Sequence, residues 1–138
     1  MHILIVDTNV IVSSLLGKSY PFLIVRDLIL KEKVACVVSE SVLEEYRQTL
    51  FSIKFMKVPL FSSESMELLK DIQSVSIPFE SKIQLNVLKD PDDNKFLELA
   101  VECKANFLVT GNSKHFPFGE FMGTEIISPG NYWRKFWC

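Results

Sequence analysis

No apolar stretch in this chain approaches the length of a membrane span. Cysteine is scarce. Cys36, Cys103 and Cys138 are odd in number and contain no C-x-x-C pair, so neither a disulfide frame nor a zinc site is expected. Reduced thiols in a cytoplasmic setting fit them better. Charge of one sign is lacking as well. The net charge of −2 exerts no long-range pull on nucleic acid, so any polyanion contact must rest on a local basic patch. There is no H-E-x-x-H, G-x-S-x-G or P-loop pattern, no internal repeat, no low-complexity segment and no domain linker. What remains is 138 residues, 48% hydrophobic and 23% charged, which is the make-up of one folded domain over residues 1–138 with a sizeable core. The apolar N-terminal run lacks a basic leader and is interrupted by Asp7 and Asn9, so it reads as mature structure and not as a signal peptide.

That run is the first informative stretch. Ile3-Leu4-Ile5-Val6 is short, continuous and rich in β-branched residues, which predicts a strand buried on both faces. It ends in Asp7-Thr8-Asn9. In open α/β sheets ligands sit beyond the carboxyl ends of the strands, and Asp7 stands at such an end. A carboxylate backed by a hydroxyl and an amide suits a metal or phosphate site. The same three residues equally suit a turn that caps the next helix.

Val10–Leu16 predicts a short helix, and Phe22–Lys31 a second, with an apolar stripe of Phe22, Val25, Leu28 and Leu30. Val34–Val38 predicts a second parallel strand, completing a βαβ unit. A helix follows to about Leu50. Ser41-x-x-Glu44 has capping-box spacing, which would occupy Glu44 and leave Glu45 to lean over the sheet. Further on, a helical turn is expected within 51–59, a helix over 63–74 and a short strand at 75–77 stopped by Pro78. Residues 79–88 read as a loop with one helical turn.

Lys89-Asp90-Pro91-Asp92-Asp93-Asn94 opens another helix, carrying Phe96, Leu97, Ala100 and Val101. Three acids suit a helix N-terminus, and one serves as its cap. Asp93 lies three residues before Phe96, in line with the apolar face, whereas Asp92 and Asn94 flank it. Residues 106–112 predict a third buried strand, 124–128 a last short one, and 131–138 a terminal helical turn with Tyr132, Trp133, Phe136 and Trp137.

Asp7, Glu45, Asp93 and Asn112 thus come from separate elements to one edge of a parallel sheet. Gathering like charges is costly unless a cation neutralises them. Oxygen donors without His or Cys select Mg²⁺ or Mn²⁺. The chemistry such a site suits is metal-assisted phosphodiester hydrolysis. Asp7 and Asp93 are the expected direct ligands, and Glu45 binds metal or orients the attacking water. Thr8, Asn9, Thr110 and Asn112 support carboxylates or waters.

At these residues the chain resembles the PIN-domain family, in the branch that supplies toxins of toxin–antitoxin pairs (VapC-like). Ile5-Val6-Asp7-Thr8-Asn9-Val10 resembles its first motif. Val38-Ser39 followed by Glu45 resembles its second. Asp90-Pro91-Asp92-Asp93 through Phe96, Leu97 and Ala100 resembles its third, and Leu108-Val109-Thr110-Gly111-Asn112 its fourth. The resemblance implies a three-layer α/β/α sandwich around a central parallel sheet of four to five strands. It also implies Mg²⁺- or Mn²⁺-dependent ribonuclease activity on RNA, a small antitoxin partner and, often, a homodimer.

One departure stands out. Many members carry an acid where this chain has Asn112, and an amide should weaken a second metal more than a first. His115 is a candidate contact to phosphate, or a structural loop histidine. Lys95, Lys114, Arg47 and Lys54 are candidate phosphate contacts along an RNA path, or solvated surface. The Phe116, Phe118 and Phe121 cluster suits core or interface better than base stacking. The alternatives are an RNA-processing nuclease without a toxin role, or a non-catalytic PIN-like interaction module. A haloacid-type phosphatase would need an acid at Asn9. A receiver domain would need a phospho-acceptor Asp at the end of the third strand, near Pro78.

Overall fold

A computed structural model describes residues 1–137, so Cys138 lies outside the described residues. The chain runs β1 (Ile3–Val6), α1 (Thr8–Leu16), α2 (Tyr20–Leu23), β2 (Ala35–Val38), α3 (Glu40–Leu50), α4 (Phe61–Val75), β3 (Ile77–Pro78), α5 (Asn94–Cys103), β4 (Phe107–Val109), β5 (Glu120–Phe121), β6 (Thr124–Ile127) and α6 (Pro129–Phe136). The strands form one sheet in the order β3-β2-β1-β4-β6-β5. Every pairing is parallel except β5 with β6. Successive side chains of a strand point to opposite faces. Leu4, Ile5 and Val6 are all fully buried, so both faces of the sheet are covered and the molecule is a three-layer sandwich. On one side α5 lies against β1, β2 and β4, while α1 packs with α2, α3 and α4.

The chain leaves β1 for β2 on one side and later places β4 on the other. The crevice between the carboxyl ends of β1 and β4 is therefore the topological switch point, where open α/β sheets bind ligands. The registers bring Val6 opposite Val109, so Asp7 and Thr110 emerge side by side.

Several local expectations change. Helix α3 is capped by Ser39, which keeps extended dihedrals and accepts from the Val42 amide at 3.2 Å. Ser41 is already helical, and Glu44 instead receives Arg47 and Gln48, so the capping box at Ser41–Glu44 does not form. The helix over 22–31 is α-helical only to Leu23. From Ile24 to Ile29 it widens to i→i+5 bonding. Val75 closes α4 and does not enter β3, whereas Pro78 lies within β3, where an edge strand tolerates its missing amide. Residues 79–88 make no helical turn. Among the described residues the parallel part of the sheet has five strands, within the expected four to five, and a sixth strand joins it antiparallel. The sixth is β5, joined to β6 by a turn with positive φ at both Met122 and Gly123, as tight hairpins require. Phe118 and Phe121 stack at 5.0 Å and Phe116 is buried, so this cluster belongs to the fold.

The last helix spans Pro129–Phe136 and seals the far end of the sheet. Tyr132 is fully buried against Phe107 and bonds His2 Nδ1 at 2.7 Å. Among the described residues no single helix is long and apolar enough to cross a membrane.

Helix α5 ends on Lys104, which holds a left-handed conformation at φ 55. A Cβ makes that conformation costly, by about 1 kcal/mol. Lys104→Gly should therefore raise the urea midpoint, by up to about 1 kcal/mol of stability, without changing the slope. A lowered midpoint would contradict this account of the helix end.

Candidate active site

Asp7 is both cap and site residue. Its extended backbone starts α1, and its Oδ1 accepts from the Thr8 amide at 2.7 Å. Its Oδ2 accepts from the Thr110 hydroxyl at 2.8 Å and the Asn9 amide at 3.1 Å. Asn9 in turn accepts from the Gly111 amide at 2.9 Å, tying the ends of β1 and β4 together. A Cβ on Gly111 would stand 3.1 Å from Asn9 Oδ1, so a side chain there would press on the oxygen that accepts from the Gly111 amide. Beneath them the buried Tyr46 hydroxyl donates to the Val6 carbonyl. The two readings of Asp7-Thr8-Asn9 coincide: the turn that caps the helix also fixes the carboxylate.

The buried face of α3 carries Val42, Leu43, Tyr46 and Leu50. Glu45 sits at its border, half-buried, while Glu44 is exposed. Glu45 accepts from the Thr8 hydroxyl, and Lys95 Nζ lies 3.0 Å from its Oε1. Asp90 caps the 3₁₀ turn Pro91–Asp93, accepting from the Asp92 amide at 3.0 Å. That leaves Asp92 exposed and turns Asp93 inward, where it is 7% exposed. Asp93 Oδ2 is buried without a hydrogen-bond partner. His115 Nδ1 stands 3.5 Å from it, an electrostatic neighbour beyond hydrogen-bond length.

Asn112 is committed elsewhere. Its Oδ1 accepts from the Lys114 amide at 3.2 Å, and its Nδ2 lies 3.0 Å from His115 Nε2. The Asn112 oxygen being taken by Lys114, its Nδ2 faces His115 Nε2, and the other ring nitrogen of His115 faces Asp93. In this arrangement Asn112 acts on Asp93 through His115.

A cleft of about 560 Å³ gathers Asp7, Thr8, Asn9, Glu45, Asp93, Lys95 and His115. Lys54, Asp90 and Asp92 also line it. Lys114 borders a neighbouring hollow, and Asn112 lines another with Asn9, Gly111 and His115. Thr110 lies behind Asp7, buried. Arg47 is not brought in; it pairs with Glu44 on the solvent side. Sequence reasoning passed over Gln48, Thr49 and Ser13, which line the cleft. The helical period held that signal, since Gln48 and Thr49 follow Glu45 by three and four residues and Ser13 follows Asn9 by four.

Burial pushes the Asp93 carboxyl up to about 6; Asp7, Asp90 and Glu45 push the same way, while His115 opposes. Burial also raises Asp7, with Thr110 and Thr8 pulling it down and Glu45 adding to the rise. The carboxylates offer oxygen donors only, and one buried carboxylate oxygen lacks a hydrogen-bond partner, with His115 Nδ1 near it at 3.5 Å. Both facts fit a hard divalent cation, which would satisfy that oxygen and offset the crowding of like charge. Among the described residues no three His, Cys, Asp or Glu groups already enclose an ion, because Glu45 is turned to Thr8 and Lys95. Asp7 and Asp93 remain, and ions of the Mg²⁺ type complete their shells with water.

The model of the PIN domain family matches residues 4–114, and the chain belongs to that family. Its members are nucleases and generally use divalent metal ions. The chain is 33% identical over 108 residues to the uncharacterized protein MJ1680 of Methanocaldococcus jannaschii, covering 78% of this chain and 69% of that one. Its fold is similar to the structure of VapBC2 from Rickettsia felis bound to a DNA fragment from their promoter. There the TM-score is 0.60 at 17% identity, covering 91% of this chain and 98% of the other. It is also similar to FitAcB from Neisseria gonorrhoeae, with a TM-score of 0.55 at 17% identity and coverage of 92% and 98%.

The raised Asp93 carboxyl sets a sign. Its folded value of about 6 exceeds the unfolded 3.8, so the folded state binds the proton more tightly. Its favourable contribution is full below the unfolded value and is lost as pH rises through about 6. The loss is on the order of 3 kcal/mol at most. Asp93→Asn should therefore stabilise the metal-free protein at pH 7 relative to wild type, and the gap should close towards pH 4. Thermal melts in chelator across that range check this; a gap that widens on acidification would contradict it.

Proposed function

We propose that this chain is a metal-dependent endoribonuclease acting as the toxin of a type II toxin–antitoxin pair. The observation that carries the metal-dependent reading is the unpartnered, buried oxygen of Asp93 in one cleft with Asp7, at the sheet's switch point. When bound there, Mg²⁺ or Mn²⁺ supplies an activated water and stabilises the leaving oxygen of a phosphodiester. Asp7 and Asp93 hold the ion. Three hydrogen bonds fix the Asp7 carboxylate, so Thr8, Asn9 and Thr110 position it before any ligand arrives.

Charge decides what the substrate meets. Five acids line the cleft (Asp7, Glu45, Asp90, Asp92 and Asp93) against two lysines, Lys54 and Lys95. Without a cation this surface repels a phosphate backbone, so the ion is needed for RNA binding as well as for chemistry. Lys54, with Lys114 at the border, offers the phosphate contacts. The structural similarity to VapBC2 and FitAcB supports a small protein partner. A neighbouring gene for a small protein with a DNA-binding half would support the toxin role over general RNA processing, which would use the same residues. We place the protein in the cytoplasm.

Incubation of structured RNAs with Mn²⁺ or Mg²⁺ tests the activity. Asp7→Asn and Asp93→Asn should each cut cleavage by about 100-fold or more, and Thr110→Val by about 10-fold, with the fold intact by circular dichroism. Cleavage that survives both Asp substitutions and chelator rejects the assignment. Titration with Mn²⁺ should show one well-held ion per chain, with any second ion weak in the absence of RNA. Two tight, independent sites would contradict the role given to Asn112.

A further inference from the structure

We infer that the Lys95 ammonium is the cleft's own second cation, and that it limits the site to one divalent ion by holding Glu45. This inference rests on the metal-binding reading above and goes beyond it. Lys95 is the second residue of α5 and follows Asp93 by two positions. Its side chain does not run out to solvent. It lines the cleft, is 23% exposed, and brings Nζ to 3.0 Å from Glu45 Oε1, a carboxylate that is itself 22% exposed. At that depth the pair is screened much less than surface pairs such as Arg47 with Glu44, whose side chains are about half exposed. The other oxygen of Glu45 accepts from the Thr8 hydroxyl. Both oxygens of Glu45 are therefore engaged, one of them by a cation that an ion would have to displace, whereas the donors to Asp7 are neutral and a buried oxygen of Asp93 has no hydrogen-bond partner.

The charge balance points the same way. Asp7, Glu45 and Asp93 together carry three negative charges when ionised. One divalent ion and one ammonium neutralise them. A second divalent ion would need Glu45 as its anionic ligand, since Asn112 supplies none and its amide is spent on Lys114 and His115. It would also have to displace Lys95 from Glu45. The ammonium thus stands where another cation would need its ligand. It is a positioning residue that keeps Glu45 aimed into the cleft, and it leaves Asp7 and Asp93 to the single ion.

Mn²⁺ stoichiometry tests this. Free Mn²⁺ is measured by electron paramagnetic resonance during titration of the folded, full-length chain, without RNA. Wild type and Lys95→Arg should bind one ion. Lys95→Met should bind two, because Glu45 is released as a ligand. Lys95→Met combined with Glu45→Gln should return to one. If Lys95→Met binds one ion with wild-type affinity, the inference about Lys95 is overturned while the metal site stands. If wild type binds none, the metal reading fails and this inference with it. Should Lys95→Met not fold, Lys95→Gln takes its place with the same expected count.

Discussion

The structure turns on a carboxylate held at the end of a fully buried strand. Asp7 sits where β1 stops and α1 begins, and three donors from two strand ends hold it. Burial resists ionisation there, and the hydrogen bonds only partly answer it. Strand order supplies the rest. Because β4 returns beside β1 on the side opposite β2, Thr110 and Gly111 reach across the switch point to Asp7 and Asn9. The fold and the site are therefore one arrangement. Moving the register of β1 against β4 by one residue would undo the Asp7–Thr110 bond and exchange the side chains that β1 presents to its two buried faces.

Around this point the acids divide by how far their hydrogen-bonding needs are met. Asp7 and Glu45 are supplied by neighbours, whereas Asp93 is buried with an oxygen left over. A native fold keeps such an orphan only where something else compensates for it. On the proposed function, stability and activity oppose each other at this residue. The change that would relieve the metal-free protein is the one expected to remove the ion.

Much of this was legible in the residues. The strand of Ile3–Val6 followed from β-branched bias, and Asp93 was separated from Asp92 by the helical period alone. The expectation that Glu45 and not Glu44 leans over the sheet agrees with its place in the cleft. The two acids are not separated by a capping box, since Ser39 caps the helix and Glu44 receives Arg47 and Gln48. Other features were hidden for physical reasons. A two-residue strand such as Glu120–Phe121 has no period to read, and its Met122-Gly123 turn lacks the Asn or Asp that usually marks one. The widening of the second helix at Ile24–Ile29 leaves an apolar stripe intact and so escapes a pattern count. Spacing shows where Lys95 and Arg47 lie along a helix, but not whether a flexible stem turns inward or out. One went to Glu45 in the cleft and the other to Glu44 in solvent.

The two borders of the sheet bear on how this protein meets others. Each outer strand, β3 and β5, is two residues long, and one of the two residues of β3 is Pro78. Neither border presents a ladder of free amides and carbonyls long enough to template another chain's strand. Association by backbone pairing is thereby disfavoured, which leaves side chains as the surface for any association. The link between α3 and α4 already displays Ile53, Met56 and Leu60, each more than 70% exposed, beside the wall of the cleft formed by Lys54 and Phe55. An association through that link would sit at the mouth of the site, so binding and access to the carboxylates would be set by the same few residues.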